Sequence, residues 1–280
     1  MISNRRMRTE LSPWHPLAFA VTGWRHRHLI RRLAWRAVER RYRGSVLGLL
    51  WAFVQPLLML AVYTFVFSVV FESRWDVPEY GHTHFAILLF SGLILFAVFA
   101  DSVNQAPRLV RANRVFITQI RFPVEVLCWV SLVEAIVQLL FATAILAVGY
   151  LVVIGVPPAS WLYLPLLLIP LGLLTLGTSW LLASLGVYLE DISHVVSVLT
   201  TALLFLSPIF YSPARIPEAF RAVYAVNPLA ALIDLSKPPL FGGVAPDWLV
   251  LAQLVAIGWV VAWAGHLWFM RSKAGFADVL

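Results

Sequence analysis

Charge is absent from long stretches of this chain, and the gaps between charges set its architecture. No Asp, Glu, Lys or Arg occurs between Arg43 and Glu72, a run of 28 residues. None occurs from Ala135 to Leu189, a run of 55. A helix crosses the hydrocarbon core of a bilayer with about 20 apolar residues, so the first run holds one crossing and the second holds two. The second run breaks at Gly155-Val-Pro-Pro-Ala-Ser160, a turn signal. The pattern predicts six spans: about Val46–Phe71, Phe85–Ala100, Glu125–Ile154, Trp161–Leu189, Ile192–Tyr211 and Trp248–Met270.

Three further segments carry a helical pattern without being long enough to cross. In Trp24–Arg43, Leu29, Ile30, Leu33, Ala34, Ala37 and Val38 recur on one side and arginines fill the rest. Such a helix is expected to lie in the membrane interface with its apolar stripe against the acyl chains. It serves either as a topology anchor or as a gate. In Ala106–Phe122, Arg108, Arg111 and Arg114 sit three apart on one stripe, with Leu109, Val110, Phe116, Ile117 and Ile120 as the apolar side. Pro107 suits a helix start and Pro123 begins the next element. This is either a basic loop or a helix that docks on a partner. In Ile216–Gly243, two short apolar segments flank Asn227-Pro228, and Pro238-Pro239 with Gly242-Gly243 closes them. They either rest on the outer surface or re-enter the membrane where protein or water covers the backbone.

Composition turns this pattern into a class. The chain is 61% apolar and 12% charged, against about 25% charged in soluble domains, which makes it an integral membrane protein. Of its 21 basic residues 19 are arginine, and they cluster beside the apolar spans. Anionic lipid headgroups, not nucleic acid, are therefore the expected partners of that charge. Six spans put both termini on one side. If that side is cytoplasmic, 17 basic residues lie inside and four outside, so the positive-inside rule predicts cytoplasmic termini. The first 23 residues contain no continuous apolar core, which predicts no cleavable signal peptide. Cys128 is the single cysteine, so no intramolecular disulfide forms.

Candidate chemistry is sparse. The two lysines, Lys237 before Pro and Lys273 before Ala, do not form a phosphate-binding loop, so ATP-driven work needs a separate subunit. His82, His84 and Glu79 fall short of a metal site, and no catalytic residue or metal is expected. Glu190-Asp191 reads as a solvated turn. Asp101 and Glu125 are expected to pair with arginines of the Ala106–Phe122 segment. An ion-coupled flippase would need acids or arginines at mid-depth and more spans. A glycosyltransferase or phosphatase would need a larger loop.

Several motifs resemble one family. Arg41-Tyr-Arg-Gly-Ser-Val-Leu-Gly48, Leu50-Trp51-Ala52 and Gln55-Pro56-Leu57 are similar to the opening of the permease subunit of polysaccharide-exporting ABC transporters. Asn113-Arg114-Val115-Phe116, Arg121-Phe122-Pro123, Ser207-Pro208-Ile209 and Asn227-Pro228-Leu229 extend the resemblance over nearly the whole chain. It implies an all-α integral membrane protein: six transmembrane helices, an N-terminal amphipathic helix, a cytoplasmic coupling helix and two short re-entrant helices before the last span. Residues 1–45 form the cytoplasmic N-terminal segment, 46–270 the exporter domain with its coupling helix at about 106–122 and hairpin at about 216–243, and 271–280 a cytoplasmic tail.

The resemblance further implies a homodimer in the bacterial inner membrane, bound to an ATP-binding cassette ATPase subunit that holds ATP and Mg. The cargo is a lipid-linked polysaccharide of capsule, O-antigen or teichoic acid type, passed on to periplasmic export proteins; a permease for a drug or small lipid is the alternative. By the same resemblance, Arg108, Arg111, Asn113, Arg114 and Phe116 are the ATPase-coupling residues. Arg40, Arg41, Tyr42 and Arg43 form the cytoplasmic gate, and Tyr224, Asn227 and Pro228 the exit gate. Sugar rings stack on aromatic faces, so Trp51, Phe53, Tyr63, Phe67, Phe96 and Phe99 are candidates for the substrate path, or else face lipid.

Overall fold

The computed structural model describes residues 12, 14–44, 46–66, 82–115, 122–211, 218, 224 and 226–279. Among them there are helices and turns and no strand. The helices are α1 Ala18–Arg25, α2 Arg27–Tyr42, α3 Trp51–Phe65, α4 His82–Ala112, α5 Val126–Val153, α6 Leu164–Tyr188, α7 Ile192–Phe205, α8 Pro228–Lys237, α9 Trp248–Ser272 and α10 Phe276–Val279. Four described stretches are long and apolar enough to cross a membrane: Phe85–Ala112, Val126–Val153, Ala159–Tyr188 and Trp248–Gly275. Two shorter apolar helices, Trp51–Phe65 and Ile192–Phe205, accompany them. The chain is a multi-pass membrane protein.

The helix α6 occupies the centre, with α4 on one side and α9 on the other. Lipid tails are as apolar as Leu, so burial alone does not bring such helices together and close backbone contact must. Glycines supply it. A Cβ on Gly177 would collide with the Val261 carbonyl, and one on Gly265 with the Gly177 carbonyl. Gly258 faces Pro170 and Leu173 in the same seam, and Ala262 is fully buried. Trp180 fills the centre with no exposure and donates its indole N–H to the Glu125 carbonyl at 3.1 Å, which satisfies an indole buried away from water. The hydroxyls of Thr175 and Thr178 donate to the carbonyls of Leu171 and Leu174 within α6, at 2.7 and 2.8 Å.

The ends of α5, α6 and α9 fall within a few residues of the sequence expectation. α5 stops at the Gly155 turn, where φ is +120° and the Gly155 N–H donates to the Tyr150 carbonyl at 3.0 Å. α9 begins after Asp247, whose carboxylate accepts from the N–H groups of Leu249 and Val250 at 2.9 and 3.2 Å. The turn before α6 is joined to the segment after α8: Ser160 Oγ donates to the Pro239 carbonyl at 2.5 Å and Trp161 Nε1 to the Leu240 carbonyl at 3.2 Å.

Three expectations are corrected. The second apolar span does not end near Asp101, because α4 continues through it to Ala112. Pro107 is thus not a helix start but lies inside α4, where it has no N–H for the Val103 carbonyl. The Pro107 carbonyl lies against Gly186, where any Cβ would collide with it. Finally, the apolar stripe of α2 does not face acyl chains. Ile30, Ala34, Val38 and Tyr42, spaced four apart, are buried, and α2 packs along α5. Of the first expected span, Trp51–Phe65 is helical and residues 67–71 lie outside the described residues.

The N-terminal arm is also fixed on protein. Phe19 is 2% exposed and meets the rings of Trp180, Trp259 and His266, its closest centroid distance being 5.0 Å to Trp259. Trp263 Nε1 donates to the Trp14 carbonyl at 3.2 Å, and the Arg271 guanidinium lies 4.1 Å from the Trp14 ring centre. These contacts seat α1 on the last long helix.

Candidate functional site

The charged end of the helix bundle brings the gate candidates together with two acids. Arg41, on the last turn of α2, points between two carboxylates: Nη2 is 3.6 Å from Asp101 on α4 and Nη1 3.7 Å from Glu134 on α5. One guanidinium therefore answers two acids. The side chains are 34%, 39% and 13% exposed for Arg41, Asp101 and Glu134, so the cluster is partly desolvated. Tyr42 donates its hydroxyl to Gln138 Oε1 at 2.6 Å, a second tie between α2 and α5. Arg40 and Arg43 are exposed. Asp101 pairs with Arg41 and Glu125 with Lys273 at 2.7 Å, not with the coupling-segment arginines expected for both.

Two cavities open on either side of this cluster. One of about 820 Å³ is lined by Arg36, Arg40, Arg43, Asn113 and Glu134. The other, about 320 Å³, runs into the apolar interior between α3, α4 and α5, past Gln55, Tyr63, Phe96 and Gln138. Arg41 and Asp101 stand at its polar end. The aromatic candidates divide accordingly. Tyr63 and Phe96 line the inner cavity. Trp51 and Phe53 are both partly exposed on α3, Phe53 meeting Phe141 edge to face at 4.8 Å. Phe99 is buried in the core, and Phe67 lies outside the described residues.

The coupling candidates are only partly gathered. Arg108 Nη2 donates to Ser193 Oγ at 3.3 Å. Arg111 pairs with Glu190 and donates through Nη2 to the Val187 carbonyl at 2.8 Å. Glu190 is thus engaged by Arg111, and is not simply a solvated turn residue. Asn113 Nδ2 donates to the Leu109 carbonyl at 2.8 Å and so satisfies one of the carbonyls left open at the end of α4. Arg114 is exposed just past that end, and Phe116 lies outside the described residues.

Among the exit candidates, Asn227 is an N-cap: its Oδ1 accepts from the N–H groups of Leu229 and Ala230 at 3.1 and 3.2 Å, and Pro228 takes the first helical position. Tyr224 is half-buried. Asn227→Ala is expected to destabilise α8 by about 1 kcal/mol, whereas Asn227→Asp keeps the cap. Amide hydrogen exchange across residues 229–233 measures this; equal protection in the Ala variant and the native chain would refute the capping role. Near the other termini of the long helices, His82 and His84 fall in the first turn of α4, and Glu79 lies outside the described residues.

Sequence reasoning missed Gln138, Asn104, Ser193 and Thr200. Thr200 Oγ1 lies 3.0 Å from Asn104 Oδ1, linking α7 to α4, and shares its single proton with the Val196 carbonyl of its own helix at 2.5 Å. The signal for Asn104 was its spacing. Asp101, Asn104, Arg108 and Arg111 recur at intervals of three and four, which marks one face of a continuous helix.

Comparison with known proteins gives a consistent result. Residues 28–237 match the sequence profile of the ABC-2 type transporter family. The chain is 29% identical over 262 residues to the O-antigen export system permease protein RfbA of Myxococcus xanthus, covering 91% of this chain and 96% of that protein. It is 29% identical over 242 residues to RfbA of Klebsiella pneumoniae, covering 86% and 90% of the two chains. It is 22% identical over 237 residues to the polysialic acid transport protein KpsM of Escherichia coli, covering 84% and 90%.

Proposed function

The chain belongs to the ABC-2 type transporter family, and on that premise we propose that it is the permease subunit of an ATP-driven exporter of lipid-linked polysaccharide. The carrying observation is the near full-length likeness to permeases named for O-antigen export and polysialic acid transport. The subunit moves cargo and performs no chemistry on it; ATP and Mg bind a separate ATP-binding cassette subunit. Two copies of the permease form the path in the bacterial inner membrane, with periplasmic proteins as onward recipients.

Six spans are reached by counting α3 and α7 with the four long helices. The 14 residues of α7 rise about 21 Å, short of a hydrocarbon core of about 30 Å. The irregular stretch that follows has Ser207, Pro208 and Ile209 buried, so protein covers the backbone where helix is absent. With both termini cytoplasmic, the α2 end, the α4 end and the α6–α7 turn share the ATPase side. There α2 acts as the gate through Arg40, Arg41, Tyr42 and Arg43. Segment 106–122, with Arg108, Arg111, Asn113, Arg114 and Phe116, couples to the ATPase. Tyr63 and Phe96 offer sugar-stacking faces beside the polar Gln55 and Gln138, and Tyr224, Asn227 and Pro228 border the exit.

Deleting the gene tests this reading. Completed polymer is expected to accumulate on its lipid carrier inside the cell and to vanish from the surface. Intact surface glycans together with drug sensitivity or a mislocalised phospholipid would instead point to a small-molecule exporter.

A further inference from the structure

Three side-chain contacts join α4 to the α6–α7 turn and α7, and they run antiparallel. Asn104 meets Thr200 at 3.0 Å, Arg108 meets Ser193 at 3.3 Å, and Arg111 pairs with Glu190. On α4 the positions advance by four and three, so they form one stripe. On the partner they recede from 200 to 193 to 190, as two antiparallel segments require. Arg111 also holds the Val187 carbonyl at 2.8 Å. Just beside it the Pro107 carbonyl rests against Gly186 with no room for a side chain. Elsewhere α7 is largely exposed: Val195, Val198, Leu199 and Phe205 all face outward. Its described polar cross-contacts are those to α4.

We infer that Asn104, Arg108 and Arg111 form a polar ladder that transmits motion of the ATPase-coupling end of α4 to the fifth span, with Glu190, Ser193 and Thr200 as its receiving rungs. The inference rests on the permease reading. Arg108 and Arg111 are positioning residues turned inward on the same chain. The geometry favours transmission over bulk stability. Glu190 is 78% exposed, and surface ion pairs contribute little to folding. A two-pronged guanidinium contact nevertheless fixes direction, because both prongs hold one turn to one helix end. A displacement of the α4 end then carries the α6–α7 turn, and α7 moves with it.

The test uses the permease co-expressed with its ATPase and purified as the full complex. Variants are Glu190→Arg, the double swap Glu190→Arg with Arg111→Glu, and Thr200→Val. Three quantities are read: ATPase recovered with the permease, ATP turnover, and surface polymer in a deletion strain carrying each variant. In Glu190→Arg, recovery and turnover are expected within twofold of the native complex while surface polymer falls by about tenfold, a coupling loss at the low end of the usual range. The double swap should restore most of the polymer. Thr200→Val removes the uppermost rung without touching charge and should lower polymer per ATP hydrolysed in the same direction. Loss of ATPase recovery in Glu190→Arg would mean that this turn docks the ATPase, which overturns the ladder. Native polymer yield per ATP in both Glu190→Arg and Thr200→Val would overturn it as well. Failure of the parent reading looks different, since the deletion strain itself would then keep its surface polymer.

Discussion

Replacing Gly177 with leucine is expected to abolish the folded protein. The collision is between backbones: a Cβ at this position meets the Val261 carbonyl and the Ala262 nitrogen on α9. Overpacking a side-chain core costs roughly 1–3 kcal/mol because neighbouring side chains shift. Here no side chain can shift, so α9 must withdraw from α6 along its length. That separates Gly265 from Gly177 and opens the seam that Gly258 and Ala262 complete. The loss is expected to exceed that range and consume most of a domain stability of about 5–15 kcal/mol. Gly172→Ala is the matched control, since its Cβ would meet only the Leu132 side chain at 3.5 Å, an ordinary contact. Detergent-extracted protein followed by size exclusion and thermal melting measures both. A Gly177→Leu protein that elutes and melts like the native chain would refute the packing account.

The second large effect is expected from Arg41→Ala. The substitution leaves Asp101 and Glu134 facing one shared gap without their cation. Breaking a buried pair costs about 3–5 kcal/mol and an exposed one about 1 kcal/mol or less; with the acids 39% and 13% exposed, about 2 kcal/mol is expected. The cost falls on one joint, because Tyr42 to Gln138 is the neighbouring polar tie of α2 to α5. The end of α2 should loosen while the rest of the bundle stays folded. Faster amide exchange over residues 36–43 with an unchanged global melt is the predicted signature. Adding Asp101→Asn should recover part of the protection by removing one of the stranded charges. Unchanged exchange in Arg41→Ala would show that the ion pairs do not hold this helix.

What was legible in the sequence follows from how each signal arises. α5, α6 and α9 were readable because their limits are local: charge stops, a Gly-Val-Pro-Pro turn follows α5, and Asp247 caps α9. The apolar stripe of α2 was readable too, but periodicity states only which side avoids water, not whether lipid or α5 covers it. The ladder was hidden by Pro107. Treating that proline as a helix start cut the stripe of Asp101, Asn104, Arg108 and Arg111 into a span end and a separate loop helix. The Pro107 carbonyl packs against Gly186, 79 positions away, and no local pattern reveals a partner so distant. The partner of Arg41 was equally non-local, while the pairing of Asp101 with a nearer arginine was the natural local choice.

The seating of Phe19 and Trp14 has a consequence for biogenesis. The hydrogen bond from Trp263 to Trp14 closes a loop of 249 residues, and Phe19 lies between rings contributed by α6 and α9. Closing so long a loop is slow relative to forming local helices. Part of the seat of α1, on α5 and α6, is therefore available before α9, and α9 completes it. Until that moment Trp14 and the Phe19 ring lack their α9 partners. Its full docking therefore marks a chain in which α9 and the helices before it have been inserted.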